Sequence, residues 1–370
     1  MSTSMRENLV PMYREPADPD GWHEVTAPGG YEWWYFDADD PATDTHVVAI
    51  LLEGFIFHPG YLRAHARFAR RPTRHRPPRP RDFACAYLVV YRGKRIAHQF
   101  MTQYRADQFH ASADEARVGL GPNRLWRDET GAYRLSLQGV PWQLTTRGPQ
   151  TRHGQTLSAE LTFRPAWTHP PMERIFLSRR MTGAEHHWVI VAPSCEVNGQ
   201  LERSDATGNR LDRIAFAGRG YHDHNYGTAP IGRGLRRWIW GRVLDGNRAA
   251  TFHLAVPRDR ALADEFHLVE SDESGMRELD APAPPTRWNR RTLLGLSYPD
   301  ALQLSDDLRL HSPRVIDSAP FYLRVLYRAD FAGRECSALC EVAYPHRLRW
   351  PILGRMIEMS IDKSALRANR

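Results

Sequence analysis

The hydrophobic and polar positions of this chain alternate over short runs along most of its length. Runs of aromatic and β-branched residues are separated by turn-forming residues, which is typical of β-strands. An Asp-Gly-Asn turn at 245–247, between two such runs, predicts a β-hairpin. The runs predicted as strands are Tyr31–Asp37, Val47–Leu52, Cys85–Tyr91, Tyr133–Leu137, Leu157–Phe163, His187–Ala192, Arg237–Leu244, Ala249–Val256, Tyr322–Phe331 and Cys336–Tyr344.

The pattern predicts an all-β protein of two tandem β-barrel or sandwich domains. Only Ser112–Arg117 and Asp362–Ala368 are candidates for short helices, and no strand–helix alternation indicates a parallel α/β fold. A chain of 370 residues is long for one β domain. The polar, turn-rich segment Ser204–Arg210 favours a boundary near it, which gives an N-terminal extension at 1–20, a first domain at 21–210 and a second at 211–370.

The chain is basic, with a formal net charge of +7, and Lys94 and Lys363 are its only lysines. Between Arg63 and Arg81 lie eight arginines and four prolines. Because proline disfavours a helix interior, we predict a flexible basic loop at 63–81. Contact with an anionic membrane surface and simple solvation both stay open for it. No nucleic-acid partner is expected, since no recognised binding module accompanies the basic patch.

Cysteine content and hydropathy indicate the compartment. The four cysteines, Cys85, Cys195, Cys336 and Cys340, are too few for a disulfide framework, so buried free thiols are expected. The first residues lack the apolar stretch of a signal peptide, and no run of 18 apolar residues predicts a spanning helix. We therefore predict a protein that is cytoplasmic or bound peripherally to the cytoplasmic face of a membrane. The oligomeric state is not indicated.

The densest group of polar side chains lies in Gly218–Gly227, between flanking glycines. Successive side chains of an extended strand point to opposite faces. One face therefore carries Tyr221, Asp223 and Asn225, and the other carries His222, His224 and Tyr226.

Three interpretations of this segment stay open on chemical grounds. Asp223 is a candidate general acid/base, tuned by neighbouring hydrogen-bond donors. His222 and His224 have the spacing of two metal ligands on a strand, but no acidic ligand follows them within the next six residues. The third interpretation is a structural hydrogen-bond network. No dinucleotide, Walker or nucleophile-elbow motif is present, so the familiar nucleotide-dependent enzymes and serine hydrolases are not indicated.

Two aromatic runs could form the walls of an apolar pocket. Trp33, Trp34 and Tyr35 alternate along the first predicted strand, and Trp238 and Trp240 share one face of a later strand. Core packing explains both runs, and a groove for a polyene or lipid needs the same side chains.

These residues resemble one known family. Glu32-Trp33-Trp34-Tyr35, the run Gly220 to Asn225 and the run Trp238 to Arg242 look like the carotenoid 1,2-hydratase (hydroxyneurosporene synthase) family, within a wider group of two-domain lipocalin-like proteins. The resemblance spans residues 22 to about 362. Tyr226 departs from the family pattern, in which tryptophan is common at that position.

The resemblance implies addition of water across a terminal double bond of an acyclic carotenoid such as neurosporene or lycopene. It implies no metal or organic cofactor, a hydrophobic polyene as the partner, Asp223 as the catalytic acid and Tyr221 beside it. His222, His224 and Asn225 would orient the site or relay a proton. Trp33, Trp34, Tyr35, Trp238, Trp240 and Tyr226 would contact the polyene. A pericyclase-like relative and a non-catalytic lipid- or carotenoid-binding protein are the alternatives.

Overall fold

The computed structural model describes residues 12–146, 148–176, 185–232 and 234–367. Within these ranges the protein is mostly β, built from two strongly curled antiparallel half-barrel sheets with two short α-helices. The predicted fold class is therefore confirmed. Neither helix has the length and apolar character needed to span a bilayer.

The first sheet has twelve strands in the order β4-β3-β2-β1-β14-β13-β11-β8-β7-β6-β5, with β12 paired to β13, and a separate hairpin, β9–β10, follows β8 along the chain. The strands are β1 Tyr31–Asp40, β2 Thr45–Glu53, β3 Cys85–Arg92, β4 Arg95–Gln103, β5 Phe109–Ala111, β6 Arg117–Leu120, β7 Asn123–Arg127, β8 Tyr133–Gly139, β9 Trp142–Thr145, β10 Gly148–Thr151, β11 Gln155–Pro165, β12 Met172–Phe176, β13 His186–Asp205 and β14 Arg210–Gly227.

The second sheet has eight strands in the order β18-β17-β16-β15-β24-β23-β22-β21, and β19 and β20 form a small separate pair. The predicted hairpin at 245–247 is confirmed, because Asp245 pairs with Arg248. The strands are β15 Leu235–Asp245, β16 Arg248–Pro257, β17 Glu265–Asp272, β18 Gly275–Leu279, β19 Arg290–Arg291, β20 Ser297–Tyr298, β21 Leu302–Ser305, β22 Leu308–Ala319, β23 Tyr322–Phe331 and β24 Arg334–Ala343.

Four apolar clusters fill the described part of the molecule, because both faces of the central strands are buried. On β1, the side chains of Trp34 and Phe36 point towards the interior of the curled first sheet, whereas that of Tyr35 points towards the second sheet. On β15, the side chain of Ile239 points towards the interior of the curled second sheet, whereas that of Trp240 faces the first sheet. We call the cluster between the two sheets, which contains Tyr35 and Trp240, the inter-sheet layer.

The strand that carries the polar segment belongs to the first sheet. β14 pairs with β1 on one side and with β13 on the other. The predicted division into domains at 210/211 stays a prediction, while the hydrogen-bonded sheets themselves divide between Gly227 and Leu235. Asp20, in the predicted N-terminal extension, is fully buried.

The basic segment is partly helical, so the loop prediction at 63–81 is wrong for its first eight residues. The helix α1 spans Pro59–Arg70, with Pro59 in its first turn and the His58 ring accepting the backbone N–H groups of Gly60 and Tyr61. All four prolines of the segment follow residue 70, so none interrupts the helix. A 3₁₀ turn at Pro80–Phe83 closes the segment.

Of the two predicted short helices, the first is absent and the second is present as a 3₁₀ turn. Ser112–Arg117 is not helical, because the carbonyl groups of Ser112 and Ala113 accept backbone N–H groups from residues 17, 18 and 22 instead. In the described part of 362–368, the expected turn is confirmed as a 3₁₀ turn at Ser364–Leu366. The remaining elements are the unpredicted helix α2, Pro351–Ser360, and 3₁₀ turns at Ala106–Gln108 and Pro345–Arg349.

The cysteines are free thiols, as expected. Cys85, Cys195 and Cys340 are buried, and Cys336 is half-buried. Burial raises the pKa of all four thiols.

Candidate active site

The C-terminal part of β14, Tyr221–Gly227, is buried at the middle of the first sheet. The predicted alternation of its side chains is confirmed. Tyr221 faces the inter-sheet layer, together with Asp223 and Asn225, and Tyr226 faces the interior of the first sheet. The segment therefore has two chemically distinct faces.

The glycines that bound this segment allow close backbone packing. A Cβ atom on Gly218 or Gly220 would collide with the carbonyl oxygen of Asp39 or Asp37 on β1. A Cβ atom on Gly227 would collide with the Tyr31 hydroxyl. These positions consequently need glycine for steric reasons, and the glycine spacing that marks the segment in the sequence reflects packing against β1.

Asp223 lies in the inter-sheet layer and is 3% exposed. Its Oδ2 accepts hydrogen bonds from the Trp188 indole N–H and the Tyr221 hydroxyl, both at 2.9 Å, and its Oδ1 accepts from the Asn225 amide at 2.7 Å. Burial raises the pKa of Asp223 to about 7, and the three donors only partly oppose this shift. A substantial fraction of this carboxyl is therefore protonated near neutral pH.

A chain of hydrogen bonds orients the Asn225 amide. His186 Nε2 lies 3.1 Å from Asn225 Oδ1, and His186 Nδ1 lies 2.7 Å from the Tyr31 hydroxyl. Burial lowers the pKa of His186 to about 3, so the ring is neutral. Because the amide oxygen only accepts, His186 donates from Nε2 and accepts from Tyr31 at Nδ1. This tautomer leaves the Asn225 NH₂ group to donate to Asp223.

Sequence reasoning missed Trp188 and His186. Both lie on β13, paired in register with Asn225 and Gly227, respectively. Trp188 falls in the predicted strand His187–Ala192, but the pairing of β13 with β14 was not predictable from either strand alone. Their only signal in the sequence is the aromatic run His186-His187-Trp188.

Four of the predicted substrate-binding side chains lie in the inter-sheet layer. The Tyr35 and Trp240 rings are 5.1 Å apart, and the Tyr221 and Trp240 rings are 5.3 Å apart. Trp33 stacks at 5.2 Å on Tyr31, and Trp238 packs at 6.1 Å from Phe57. The structure therefore brings Trp33, Tyr35, Trp238 and Trp240 to the same side of the first sheet as Asp223.

Trp34 and Tyr226 lie on the opposite face. The Trp34 ring stacks at 4.5 Å on His224, and its indole N–H donates to the Asp20 carbonyl. The Tyr226 hydroxyl donates to Glu173 at 2.8 Å. These two predicted substrate-binding residues are thus separated from Asp223 by the backbone of the sheet.

His222 and His224 contact carboxylates inside the first sheet rather than Asp223. His222 Nε2 lies 3.0 Å from an Asp20 oxygen. His224 lies between Glu32, at 2.9 Å, and Asp20, at 3.3 Å. Burial lowers the pKa of His224, but the two carboxylates outweigh this effect and raise it to about 9. The ring is therefore cationic. Burial alone would raise the pKa of Asp20 and Glu32, but the neighbouring histidines outweigh burial and lower the pKa of both carboxyls.

Glu32 and Asp20, beside His224, supply the acidic groups that a metal site would need and that are missing from the residues directly after His224. His23 Nδ1, a Glu32 oxygen and a nitrogen of His224 lie within 4.8 Å of one another, close enough to bind one metal ion. The same Glu32 oxygen accepts hydrogen bonds from both rings, at 3.0 and 2.9 Å. The arrangement is that of an ion-paired network, and we treat it as one that fixes β1 and β14 against the N-terminal segment.

Ion pairs also cross between the two sheets in the inter-sheet layer. Arg242 on β15 donates to Asp37 and Asp39 on β1, each at 2.7 Å. Glu341 on β24 accepts from the Tyr35 hydroxyl at 3.0 Å. Asp39 and Glu341 were not singled out as functional in the sequence, because the partner of each lies more than 200 positions away.

Comparison with known proteins gives a consistent set of relatives. The carotenoid hydratase CrtC family matches residues 50–369. The chain is 29% identical to hydroxyneurosporene dehydrogenase of Chlorobaculum tepidum over 82% of this chain and 78% of that protein. It is 26% identical to acyclic carotenoid 1,2-hydratase of Rubrivivax gelatinosus, over 88% of this chain and 73% of the relative.

Solved structures share the fold at low sequence identity. The AttH-type protein of Nitrosomonas europaea superposes with a TM-score of 0.59 at 14% identity, covering 90% of this chain and 99% of that chain. Kievitone hydratase of Nectria haematococca superposes with a TM-score of 0.50 at 11% identity, covering 93% and 96%. These likenesses show a shared two-sheet architecture.

Proposed function

The chain belongs to the carotenoid hydratase CrtC family of hydro-lyases, and we propose that it adds water across a terminal double bond of an acyclic carotenoid such as neurosporene or lycopene. One observation carries the proposal. Asp223 is a buried carboxyl whose pKa is raised to about 7, and it lies among aromatic rings between the two sheets.

The chemistry requires an acid of this kind. An isolated alkene is a weak base, so its protonation needs a carboxyl that stays neutral until it reacts. Transfer of the Asp223 proton to the terminal alkene gives a tertiary carbocation. Each desolvated aromatic face stabilises a cation by on the order of 1–2 kcal/mol, which is the role we assign to Tyr35 and Trp240. Water then attacks the cation, and loss of one of the water protons completes the addition.

Product analysis tests the proposal against its alternatives. Purified protein is incubated with lycopene or neurosporene in liposomes. The extracted carotenoids are separated by chromatography, and their masses are measured by mass spectrometry. We expect a product heavier than the substrate by one water. Loss of two hydrogens, in a parallel incubation that supplies an electron acceptor, would instead indicate the activity named for the Chlorobaculum relative. An isomer of unchanged mass would indicate a pericyclase, and bound but unchanged carotenoid would indicate a carrier.

A polyene substrate is insoluble in water, so we propose that the enzyme takes it from an anionic membrane surface. Helices α1 and α2 lie together, joined by an ion pair between Arg63 and Glu358 at 3.0 Å. Trp350 and Ile352, at the start of α2, are 51% and 60% exposed, and the neighbouring Arg349 and Arg355 are exposed as well. Exposed apolar side chains beside arginines are typical of an interfacial surface.

Liposome binding checks this surface. We expect the protein to sediment with vesicles that contain anionic lipid, and binding to weaken as salt rises. A Trp350→Ser/Ile352→Ser double variant should bind at least tenfold more weakly, because it loses the buried apolar contacts. The control is Leu211→Ser, which changes a 44% exposed leucine at the start of β14. Equal binding by the double variant and the control would contradict the proposal.

A further inference from the structure

A second carboxylate, Glu341, faces the same layer as Asp223. It lies on β24, directly opposite Trp240 on β15 and Arg324 on β23. Leu339 and Ala343, two positions to either side of it, belong to the inter-sheet layer, so the Glu341 side chain faces that layer too. Its side chain is only 13% exposed.

Neighbouring donors hold Glu341 in place. The Arg324 guanidinium donates to its Oε1 at 2.9 Å, and the Tyr35 hydroxyl donates to the same oxygen at 3.0 Å. Arg324 is itself buried. Charge-assisted hydrogen bonds of this kind favour the ionised carboxylate. Because Tyr35 belongs to the first sheet and Arg324 to the second, both sheets position Glu341.

Glu341 and Asp223 lie at two ends of one aromatic triad. The rings of Tyr35, Tyr221 and Trp240 pack with centroids 5.1 to 6.4 Å apart. The Tyr221 hydroxyl donates to Asp223, and the Tyr35 hydroxyl donates to Glu341. The negative charge of Glu341 adds to the burial that raises the pKa of Asp223. A carboxyl that has only neutral hydrogen-bond donors and a second one that is paired with an arginine, in one buried layer, have the contrasting environments of an acid and a base.

One ring of this triad carries a buried donor. The Trp240 indole N–H is buried and has no hydrogen-bond partner among the residues that the structure describes. Buried donors are nearly always paired, with protein or with ordered water. A water molecule held by Trp240 and Glu341 would be the nucleophile for a cation formed beside the triad.

We propose that Glu341 is the general base of the hydration, an inference that rests on the function proposed above. The O–H bond of Asp223 breaks as its proton forms a C–H bond with the alkene. The water oxygen forms a C–O bond to the cation, and one of its O–H bonds breaks as the proton passes to Glu341. Proton exchange with solvent then restores the Asp223 acid and the Glu341 carboxylate, with no change of oxidation state overall.

Hydration in heavy water separates the two carboxyl groups. Glu341→Gln keeps a side chain of the same size and can still accept from Tyr35 and Arg324. We expect it to form hydrated product roughly 10²-fold more slowly than the wild type. Protonation by Asp223 is not blocked, so deuterium should still enter the carbon skeleton of the recovered carotenoid. Asp223→Asn should lose both hydration and deuterium entry.

The control is Glu335→Gln, an exposed glutamate on the same strand, which should leave both rates unchanged. Wild-type hydration by Glu341→Gln, or loss of deuterium entry together with hydration, would overturn the inference about Glu341. A wild-type protein that forms no hydrated product overturns the proposed function itself, and the inference with it. If the glutamine variant does not fold, Glu341→Asp should hydrate about tenfold more slowly with deuterium entry retained, and a wild-type rate would again refute the role.

Discussion

The Asp223→Asn variant is expected to lose product formation by roughly 10³-fold. Asparagine fills the same space and can still accept hydrogen bonds from Trp188 and Tyr221, but it has no acidic proton to give to an alkene. Among the described residues, no other carboxyl in the inter-sheet layer has a raised pKa without also being paired with a cation. We therefore expect that no other side chain can replace Asp223 as the acid. Initial rates of formation of the hydrated carotenoid measure the effect.

The matched control is Asp212→Asn, at the other end of β14. Asp212 bonds to His98 and lies outside the buried segment, so turnover should stay within about twofold of the wild type. Thermal unfolding should show that Asp223→Asn folds, because the variant replaces a carboxyl that burial already favours in its neutral form. Near-normal hydration by a folded Asp223→Asn would remove Asp223 from the mechanism.

The wild-type pH profile tests the same group without mutation. The protonated form of Asp223 is the active one, so the rate should fall as pH rises through about 7. The charged group that acts on it across the layer is Glu341, and His186 is neutral throughout this range. Initial rates between about pH 5 and pH 9 suffice. A rate that rises over this interval would mean that the carboxylate, not the acid, is required.

Strand periodicity predicted much of this site, since it separates the two faces of β14 without any knowledge of the fold. It could not locate partners whose position depends on strand pairing. Trp188 reaches Asp223 because β13 lies beside β14, and Glu341 reaches Tyr35 because the two sheets pack face to face. It also could not place Asp20 beneath His222, since that contact joins residues 202 positions apart.

The largest expected loss of stability comes from Arg242→Met. Arg242 is buried between the sheets and bonds to Asp37 and Asp39. Methionine fills much of the same volume but leaves two carboxylates unpaired in the layer. Breaking a buried pair in this way costs about 3–5 kcal/mol of the free energy of unfolding. Chemical denaturation at pH 7.5 or so, followed by tryptophan fluorescence, measures the change.

Arg314→Met is the comparison that separates burial from charge. Arg314 also joins the two sheets, through Asp44, but its side chain is 34% exposed and that of Asp44 is 53% exposed. Its loss should cost at most about 1 kcal/mol. Burial already raises the pKa of Asp37 to about 6 against the opposing effect of Arg242.

Without Arg242 that pKa must rise further, so the folded state of Arg242→Met favours protonated Asp37 more strongly than the unfolded state does. The variant should therefore regain stability relative to the wild type as pH falls from neutral towards about 5. Equal losses for Arg242→Met and Arg314→Met, or a deficit that deepens on acidification, would show that the buried pair does not hold the two sheets together. If the stability difference between Arg242→Met and the wild type shrinks as pH falls, the cost of the substitution lies in the unpaired charge of Asp37 rather than in lost packing. The ion pair between Arg242 and Asp37 then keeps β1, with Tyr35, in place against β15.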